Sequence, residues 1–573
     1  MNGLVDYSVP EEAEKVLTNG IFNNPLVQKF LPPETKECSN IAFEGSPDPS
    51  IPINWRFAES VSALKGYEAA VLSVLLRRKY GINPPQIRIN TDHAQLFIMS
   101  SLLWTIDPEG DNLNAGSILH PESRKKLEAF FPDCDKHRSN SSLHRMAATN
   151  IYRCKDGRYF HLHGSMNPDP VLKSIGLPLD APAKTHEEAI SPFIDAISNT
   201  DSKDLQHLET DVYQQAGTIC WSTDEYRKSE HGKANEHIGL FEIHSHPNDG
   251  QKPCWWADVP STSASRPLAG LKVVDLTRII AGPAVSRGLA ELGSSVMRIT
   301  APHLPDLSAL HVDLNFGKWN ASLDLRQDDD RQKLRELILD ADVFLQGYRP
   351  GVLDKYGFGE KDIIELCSSR ERGIIYAREN CYGWQGPWKD RSGWQQISDA
   401  NCGVSLEFGR AMGLDEPVTP VFPNSDYCSG IAGAVGILTA LLQRAERGGS
   451  YTVDIALNYY SRWLVDSVGT YPDSVWEAVW KRNGSQVFHH SDHMPRTLPA
   501  YLRMLMGNSG AKLFRPDFFH THFVSTIEKP IKIVAPVLRF VDNVVKPGYD
   551  VSTRGNGVDQ SRWPIDLSVD TVF

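Results

Sequence analysis

The architecture of this protein is set by residues 267–300, which read PLAGLKVVDLTRIIAGPAVSRGLAELGSSVMRIT. A continuous apolar strand, LKVVDLT at 271–277, runs through an AGP turn into a short helix that ends in glycine, SRGLAELG at 286–293. A second apolar strand, SSVMRIT at 294–300, follows directly. A strand, a helix and a strand in this order predict a βαβ unit with parallel strands.

The same alternation continues downstream. A helical segment, RQKLRELILDA at 331–341, leads into the strand DVFLQGY at 342–348, and GIIYARE at 373–379 is a further strand. We therefore predict an α/β fold whose parallel sheet carries helices on both faces. Ligands of such sheets bind at the carboxyl ends of the strands, so the loops after residues 277, 300 and 348 are the expected site.

An internal repeat relates residues 56–90 to residues 422–456. Both segments have a phenylalanine near the start, a helix that closes in Leu-Leu-x-Arg, a loop and a short strand. Aligning Arg78 with Arg444 places Ser60 opposite Asp426, and a slip of one residue places Glu59 there instead. We predict a partial internal duplication, with coincidence as the alternative because many amphipathic helices end in this way.

Composition narrows the function. The 573 residues are 41% hydrophobic and 23% charged, which predicts a globular protein with at least two domains. The formal charge of −12, without a dense basic block, argues against nucleic acid or an anionic membrane as the main partner. No apolar run is long enough to cross a membrane.

The cysteines and histidines predict neither disulfides nor a metal site. Nine cysteines form no CxxC pair, and two histidine clusters, at 237–246 and 489–493, join no recognised metal motif. The start of the chain has neither a basic region nor an apolar run, so we expect no secretory signal. Reduced thiols then favour an intracellular protein, most simply a cytoplasmic one.

Five blocks in a fixed order between residues 267 and 457 carry a family resemblance. After the opening stretch come ASLDL, DADVFLQGYRPGVLDKYGFGEKDI, YGWQGPWKDRSGW and VFPNSDYCSGIAGAVGILTALLQRAERGG. This order resembles the family III CoA-transferases of the CaiB/BaiF type, the group that contains formyl-CoA transferase, carnitine CoA-transferase and the α-methylacyl-CoA racemases. The resemblance implies a Rossmann-like large domain with a smaller α/β domain, and two subunits that interlock as rings.

One departure from the family concerns the order of the domains. The sequence pattern of the small domain, including KDGRYFHLHG at 155–164, lies before the large domain instead of after it. The chain thus resembles a partial tandem fusion, and we expect either an interlocked homodimer or a monomer that contains both half-copies. HGSMNPDP at 163–170 is a candidate for the small-domain loop that shields the site.

These observations divide the chain into five predicted segments, and Pro, Ser and Asp mark the linker among them. They are an irregular N-terminal arm at 1–50, a partial first copy with the small domain at 51–245, a linker at 246–266, a Rossmann-like catalytic domain that binds CoA at 267–470, and a C-terminal returning segment at 471–573.

Asp426 is the candidate nucleophile. It directly precedes a helical run, and by the resemblance it takes the position of the family's catalytic aspartate. A carboxylate can attack a thioester carbonyl and form a mixed anhydride, which the released CoA thiolate reopens as an aspartyl-CoA thioester. Amides at a helix N-terminus would stabilise both anions. The alternative is a plain helix cap, since aspartate is a preferred capping residue.

The resemblance also implies a CoA pocket. Ile280 and Ala281 would contact CoA through their backbone, and basic side chains would meet the phosphates through charge-assisted hydrogen bonds. Tyr348 and Arg349 fall in the loop that holds the adenosine end. The two basic residues that match the family's phosphate contacts are Arg326 and Lys355, whereas Ala301 stands where a further basic residue is expected.

Trp394 and Gln395 are predicted on the substrate side and distinguish between reactions. The racemases of this group carry a histidine after the glycine of this motif, and neither Trp nor Gln can replace it as a base near neutral pH. Asp399 could replace this histidine as the base only if the backbone placed it at the same position, and we interpret it as a carboxylate on a helix surface.

We therefore predict an enzyme that moves CoA between an acyl-CoA and a carboxylic acid through an aspartyl intermediate. CoA and acyl-CoA are substrates, and no metal is expected. The alternatives are an acyl-CoA racemase or isomerase of the same fold and a catalytically silent protein that binds CoA. The sequence identifies neither the acyl donor nor the acceptor.

Overall fold

The structure is a computed structural model, and it describes residues 7–573. Within these residues the strands are β1 (Ile41–Glu44), β2 (Ile87–Asn90), β3 (Thr105–Ile106), β4 (Leu113–Asn114), β5 (Asn150–Arg153), β6 (Tyr159–His163), β7 (Ala216–Ile219), β8 (Phe241–His246), β9 (Lys272–Leu276), β10 (Ser295–Thr300), β11 (Lys318–Ser322), β12 (Val343–Gln346), β13 (Ile375–Asn380), β14 (Ser450–Ala456), β15 (Phe519–Val524), β16 (Lys529–Val534) and β17 (Leu538–Phe540).

The α-helices of the same range are α1 (Val9–Lys15), α2 (Pro25–Gln28), α3 (Phe57–Tyr80), α4 (Thr91–Phe97), α5 (Pro121–Phe130), α6 (Leu143–Met146), α7 (Asp169–Ser174), α8 (His186–Ile197), α9 (Ser202–His207), α10 (Thr223–Lys228), α11 (Glu230–Ala234), α12 (Ala281–Glu291), α13 (Ser308–Leu314), α14 (Asp328–Leu339), α15 (Glu360–Leu366), α16 (Gln395–Asn401), α17 (Val404–Ala411), α18 (Asn424–Arg447), α19 (Leu457–Trp463), α20 (Asp473–Arg482) and α21 (Met494–Leu513).

The largest sheet confirms the predicted α/β fold. Its strand order is β11-β10-β9-β12-β13-β14-β8, and every neighbouring pair is parallel except β14 and β8. The chain moves outward from β9 to β10 and later returns to β12 on the other side of β9. A crevice at the carboxyl ends of β9 and β12 follows from this reversal of strand order, and such crevices bind ligands.

Helices cover both faces of this sheet. Val273 of β9 belongs to the core that includes α12 and α18, whereas Val274 belongs to the core on the opposite face, with α14. Successive side chains of a strand point to opposite faces, so an uninterrupted apolar strand is buried on both sides. The predicted strands and the helix at 331–341 therefore lie where the sequence pattern places them.

Helix α18 packs closely through glycine. A Cβ at Gly430 would lie 2.6 Å from the Ala284 Cβ of α12, and one at Gly433 would lie 2.6 Å from the Ile455 Cδ1 of β14. This helix is long and apolar enough to cross a membrane, but 94% of its apolar window is buried inside the protein. It is therefore a core helix, and its small residues bring α12 next to the first turn of α18.

The two segments of the predicted repeat share one order of elements. α3, β2 and α4 correspond to α18, β14 and α19: the long helices have 24 residues each and the short ones 7 each. The starts of the long helices differ by 424 − 57 = 367 positions, and 426 − 59 = 367 pairs Glu59 with Asp426. α3 also packs against α18 in the same core. The duplication itself stays a prediction.

A smaller unit precedes the large sheet. Strands β5, β6 and β7 form an antiparallel sheet that packs with α7, α8 and α9 around a core of its own. Strand β6 and helix α8 match the strand and the helix predicted around 159–164 and 186–198. The structure thus contains the expected small α/β domain on the N-terminal side of the large one.

The ends of the chain differ from the prediction of an irregular arm. Within residues 7–50 lie α1, α2 and β1, and β1 pairs with β2 in parallel. Val9, Ala13 and Ile21 are buried there, so tertiary packing orders a segment with weak local signals. In the C-terminal segment, β17 pairs with β2 and β16 pairs with β3. The five-part division of the chain stays a prediction.

Candidate active site

A cavity of about 420 Å³ lies at the carboxyl ends of the parallel strands. The loops after β9, β10, β12 and β13 line it, together with residues 391–394 and the first turn of α18. The small domain closes one side with Ser165, Met166 and Asn167, which belong to the HGSMNPDP segment. The cavity is therefore at the predicted position, and both domains contribute to it.

Asp426 lines this cavity from the first turn of α18. Burial disfavours the charged carboxylate and raises the pKa of Asp426 from 3.8 to about 7. The N-terminus of the helix acts in the opposite direction, because its unpaired amides favour a negative charge. Near neutral pH the carboxyl is thus close to its midpoint, and the ionised fraction can act as a nucleophile.

The turn between β9 and α12 presents its backbone to the cavity. Ile279 has a φ of 71°, which is unusual for a β-branched residue, and Ile280 precedes the first residue of α12. Ile280 and Ala281 both line the cavity, as the resemblance implies. Strained backbone of this kind persists where the surrounding structure determines it, often at ligand sites. The amides that begin α12 form a second helix N-terminus at the cavity.

Two guanidinium groups at the cavity lie close enough to repel each other. Burial and the neighbouring Arg278 lower the pKa of Arg349 below its usual value. Arg278 stacks on the ring of Tyr348 at 5.2 Å, and Nη1 of Arg349 donates to the backbone oxygen of Gln214 at 2.6 Å. All three side chains line the cavity. Uncompensated cations in a cavity create a site for an anion such as a phosphate.

The other predicted cations differ in their positions. Arg326 lines the cavity but is held by Asp324, whose Oδ2 lies 2.7 Å from Nη2 of Arg326. Lys355 is exposed and lies outside the lining, where the next residue, Tyr356, is found instead. Arg278 is thus a cation of the cavity that the sequence reasoning missed, although it directly follows the first strand.

The predicted substrate-side pair separates. Trp394 lines the cavity, donates its indole N–H to Oγ of Ser165 at 3.0 Å and stacks on His163. Gln395 is only 3% exposed, lies outside the lining and donates to Asp399. Asp399 is 4% exposed, so its interpretation as a surface carboxylate is wrong. Helix α16 begins at Gln395, and this places Trp394 and Gln395 on different sides of the chain.

Glu379 is a cavity residue that the sequence analysis did not single out. It lies near the end of β13, lines the cavity, and its Oε2 is 3.5 Å from the position of a Cβ on Gly347. Burial and the charge of Asp426 raise the pKa of Glu379 from 4.5 to about 8. The signal in the sequence was slight: a charged residue where an apolar strand reaches the ligand-binding edge.

One group in the described residues has the spacing of a metal site. Donor atoms of Glu242, His244 and Asp454 lie within 4.8 Å of one another. However, Nε of Arg378 lies 2.6 Å from Oδ1 of Asp454, and Tyr459 donates to Glu242. A bound cation would have to displace this guanidinium, so the chemistry of the group fits an ion-pair network better.

Comparisons with known proteins agree with the geometry. The sequence model of CoA-transferase family III matches residues 268–491. The acetyl-coenzyme A transferase nodX of Hypoxylon pulicicidum is 50% identical over 571 residues, 99% of this chain and 95% of that protein. An acyl-CoA transferase of Gibberella moniliformis is 30% identical over 95% of this chain and 93% of that protein. A solved CAIB/BAIF family protein from Brucella suis is 28% identical over 35% of this chain and 55% of that one, with a TM-score of 0.31.

Proposed function

Because the chain belongs to CoA-transferase family III and is a CoA-transferase, we propose that it transfers CoA through a covalent intermediate on Asp426. The observation that carries the proposal is the position of this carboxyl, at a helix N-terminus inside the cavity. Such a group has the charge of a nucleophile, limited hydration and access to a ligand.

The proposed binding of CoA uses the cations and the helix start at the same cavity. Arg278 and Arg349 take the phosphates, because they lie together without a carboxylate that neutralises them. The pantetheine arm then passes the backbone of Ile280 and Ala281 toward Asp426. Arg326 can join the phosphates by leaving Asp324, an exposed pair that is weak in water.

The proposed reaction has two symmetrical halves. The Asp426 carboxylate attacks the thioester carbonyl of the donor, the C–S bond of the resulting adduct breaks, and CoA leaves as a thiolate so that a mixed anhydride remains on Asp426. The thiolate attacks the Asp426 carbonyl and releases the donor acid, and the incoming carboxylic acid repeats these steps in reverse. The amides that begin α12 and α18 stabilise the anions that form. The names of the relatives support acetyl-CoA or another acyl-CoA as the class of CoA donor.

We also propose that a single chain is the working unit and contains one active site. α3 of the N-terminal half packs against α18 within one chain. Its Glu59, the counterpart of Asp426, is fully buried and accepts hydrogen bonds from Tyr7 and Tyr471. An interlocked homodimer is the alternative, and the mass in solution distinguishes the two.

All nine cysteines are free thiols, which supports an intracellular, cytoplasmic location.

The test of the mechanism is chemical trapping. The protein is incubated with an acyl-CoA and hydroxylamine, and mass spectrometry should find a hydroxamate on Asp426. Asp426→Ala should lower transfer about 10³-fold or more while the fold is kept. Glu59→Gln is the matched control, since the corresponding position of the repeat should tolerate it. Undiminished transfer by Asp426→Ala would refute the proposal.

A further inference from the structure

We propose that Glu379 acts in its protonated form as the hydrogen-bond donor to the oxygen anion that forms when Asp426 attacks the thioester. This inference rests on the proposed function of Asp426. It adds a second carboxyl group with a different role, a proton holder instead of a nucleophile, and it limits the range of pH in which the enzyme works.

The position of Glu379 is the first argument. It lies near the carboxyl end of β13, between strands β12 and β14. Gly347 directly follows β12, and α19 directly follows β14. Oε2 of Glu379 lies against the small residue Gly347, 3.5 Å from the position that a Cβ would take there. Glu379 and Asp426 line one cavity, so a thioester bound there can contact both carboxyl groups.

The surroundings of Glu379 keep its proton. Asp426 of α18 and the thiol of Cys381 lie close enough to interact with its charge, and Oε2 of Glu379 lies against Gly347. Burial and the charge of Asp426 raise its pKa to about 8, and among the described residues no cation forms an ion pair with Glu379. Two carboxyls that share a site do not both ionise readily.

The proposed step balances without another reactant. Oδ of Asp426 forms a bond to the carbonyl carbon, and the carbonyl electron pair moves onto oxygen, where the O–H of Glu379 donates a hydrogen bond. When the carbonyl reforms, the C–S bond breaks and its electron pair leaves with the CoA thiolate. The proton stays on Glu379, which is ready for the next half-reaction. Removing one such donor lowers kcat by about 10²–10³-fold in enzymes.

The pH dependence follows from the two carboxyls with opposite requirements. Asp426 must be ionised, so activity rises with pH through about 7, the pKa of that group. Glu379 must be protonated, so activity falls with pH through about 8. We expect a bell-shaped profile of kcat/KM for the wild-type protein.

The experiment compares kcat, KM and pH profiles of Glu379→Gln and Glu379→Ala in the full chain. Glu379→Gln keeps a donor that does not titrate, so kcat should fall less than about tenfold and the alkaline limb should disappear. Glu379→Ala should lower kcat about 10²–10³-fold with little change in KM. Glu360→Gln is the matched control, because Glu360 pairs with Arg378 outside the cavity.

An alkaline limb that persists in Glu379→Gln, or a kcat of Glu379→Ala close to that of the wild type, would overturn the inference. Circular dichroism and calorimetric CoA binding establish that each variant is folded. Hydroxylamine trapping keeps the two proposals apart: a labelled Asp426 with an unchanged limb refutes only the role of Glu379. An absent label in the wild-type protein refutes the intermediate itself.

Discussion

Asp426 combines two opposing influences within one side chain. Its place in the first turn of α18 favours the carboxylate, whereas its burial disfavours it and raises the pKa to about 7. A buried carboxyl group of this kind is held in the folded protein at the expense of stability. Substitutions of Asp426 should therefore change both the rate of the reaction and the free energy of unfolding.

Asp426→Asn should stabilise the protein at alkaline pH. The folded state holds the Asp426 proton more tightly than the unfolded state, so ionisation destabilises the wild type as pH rises from 3.8 to about 7. The variant escapes this loss, which amounts to roughly 2–4 kcal/mol. Urea unfolding at several pH values measures it. A gap between the two proteins that narrows toward pH 8 would contradict the assignment.

The candidate phosphate-binding cations differ in position: Arg278 and Arg349 line the cavity, whereas Lys355 lies outside it. Arg278→Gln and Arg349→Gln should each raise KM for acyl-CoA about tenfold or more, with a smaller effect on kcat, because each removes a charged hydrogen bond to the ligand. Lys355→Gln should leave both constants unchanged, since Lys355 is exposed outside the lining. Steady-state kinetics tests all three. An equal rise of KM in Lys355→Gln would return that residue to the site.

At the scale of elements, helix α18 connects the hydrophobic core with the candidate active site. Its glycines let α12 and β14 approach closely, and α12 begins at the turn that faces Asp426. Gly430, Gly433 and Gly436 recur every third residue along this helix. The structure places other protein atoms against them, so close packing is their role.

Gly433→Ala should destabilise the protein by about 1–3 kcal/mol, because its Cβ would lie 2.6 Å from Ile455 Cδ1 and 2.7 Å from Val285 Cγ2. Gly507→Ala in α21 is the control, since no atom lies within 4 Å of the added Cβ. There the change should be neutral or stabilising by up to about 1 kcal/mol. Thermal unfolding compares the two. Equal effects would show that α18 is not closely packed.

At the scale of the whole molecule, the last residues tie the large sheet together. Arg554 is 1% exposed and pairs with Asp559 at 2.9 Å and with Asp570, while Thr553 donates to the backbone oxygen of His311 at 2.6 Å. These contacts connect the tail to α13 and to the outer strand β11, where Asp559 accepts from the backbone of Asn320.

Arg554→Ala should lower the free energy of unfolding by about 3–5 kcal/mol, because it leaves the buried Asp559 carboxylate without its charged partner. Arg562→Ala, a change at an exposed arginine of the same tail, should have little effect. Urea unfolding and limited proteolysis of the tail give the comparison. Similar midpoints for the two variants would mean that the tail does not contribute to stability.

The sequence predicted the large sheet and much of the site because their signals are local. Apolar runs of strand length, glycine at a helix end and the ordered blocks around Asp426 can be identified without knowing what touches them. The N-terminal arm was predicted wrongly for the opposite reason. α1 and β1 are short, and they are ordered by burial against α3 and by pairing with β2.

What the sequence determined by itself was the order of elements in the large sheet and the choice of Asp426 as the candidate nucleophile, since both depend on neighbours along the chain. Only the tertiary structure decided that Glu379 shares a cavity with Asp426, that Arg278 and Arg349 repel each other there, and that Gln395 lies outside. Burial and charge coupling act through space. Both effects depend on which strands and helices are packed together, and the sequence pattern does not contain the distances between residues that are far apart along the chain.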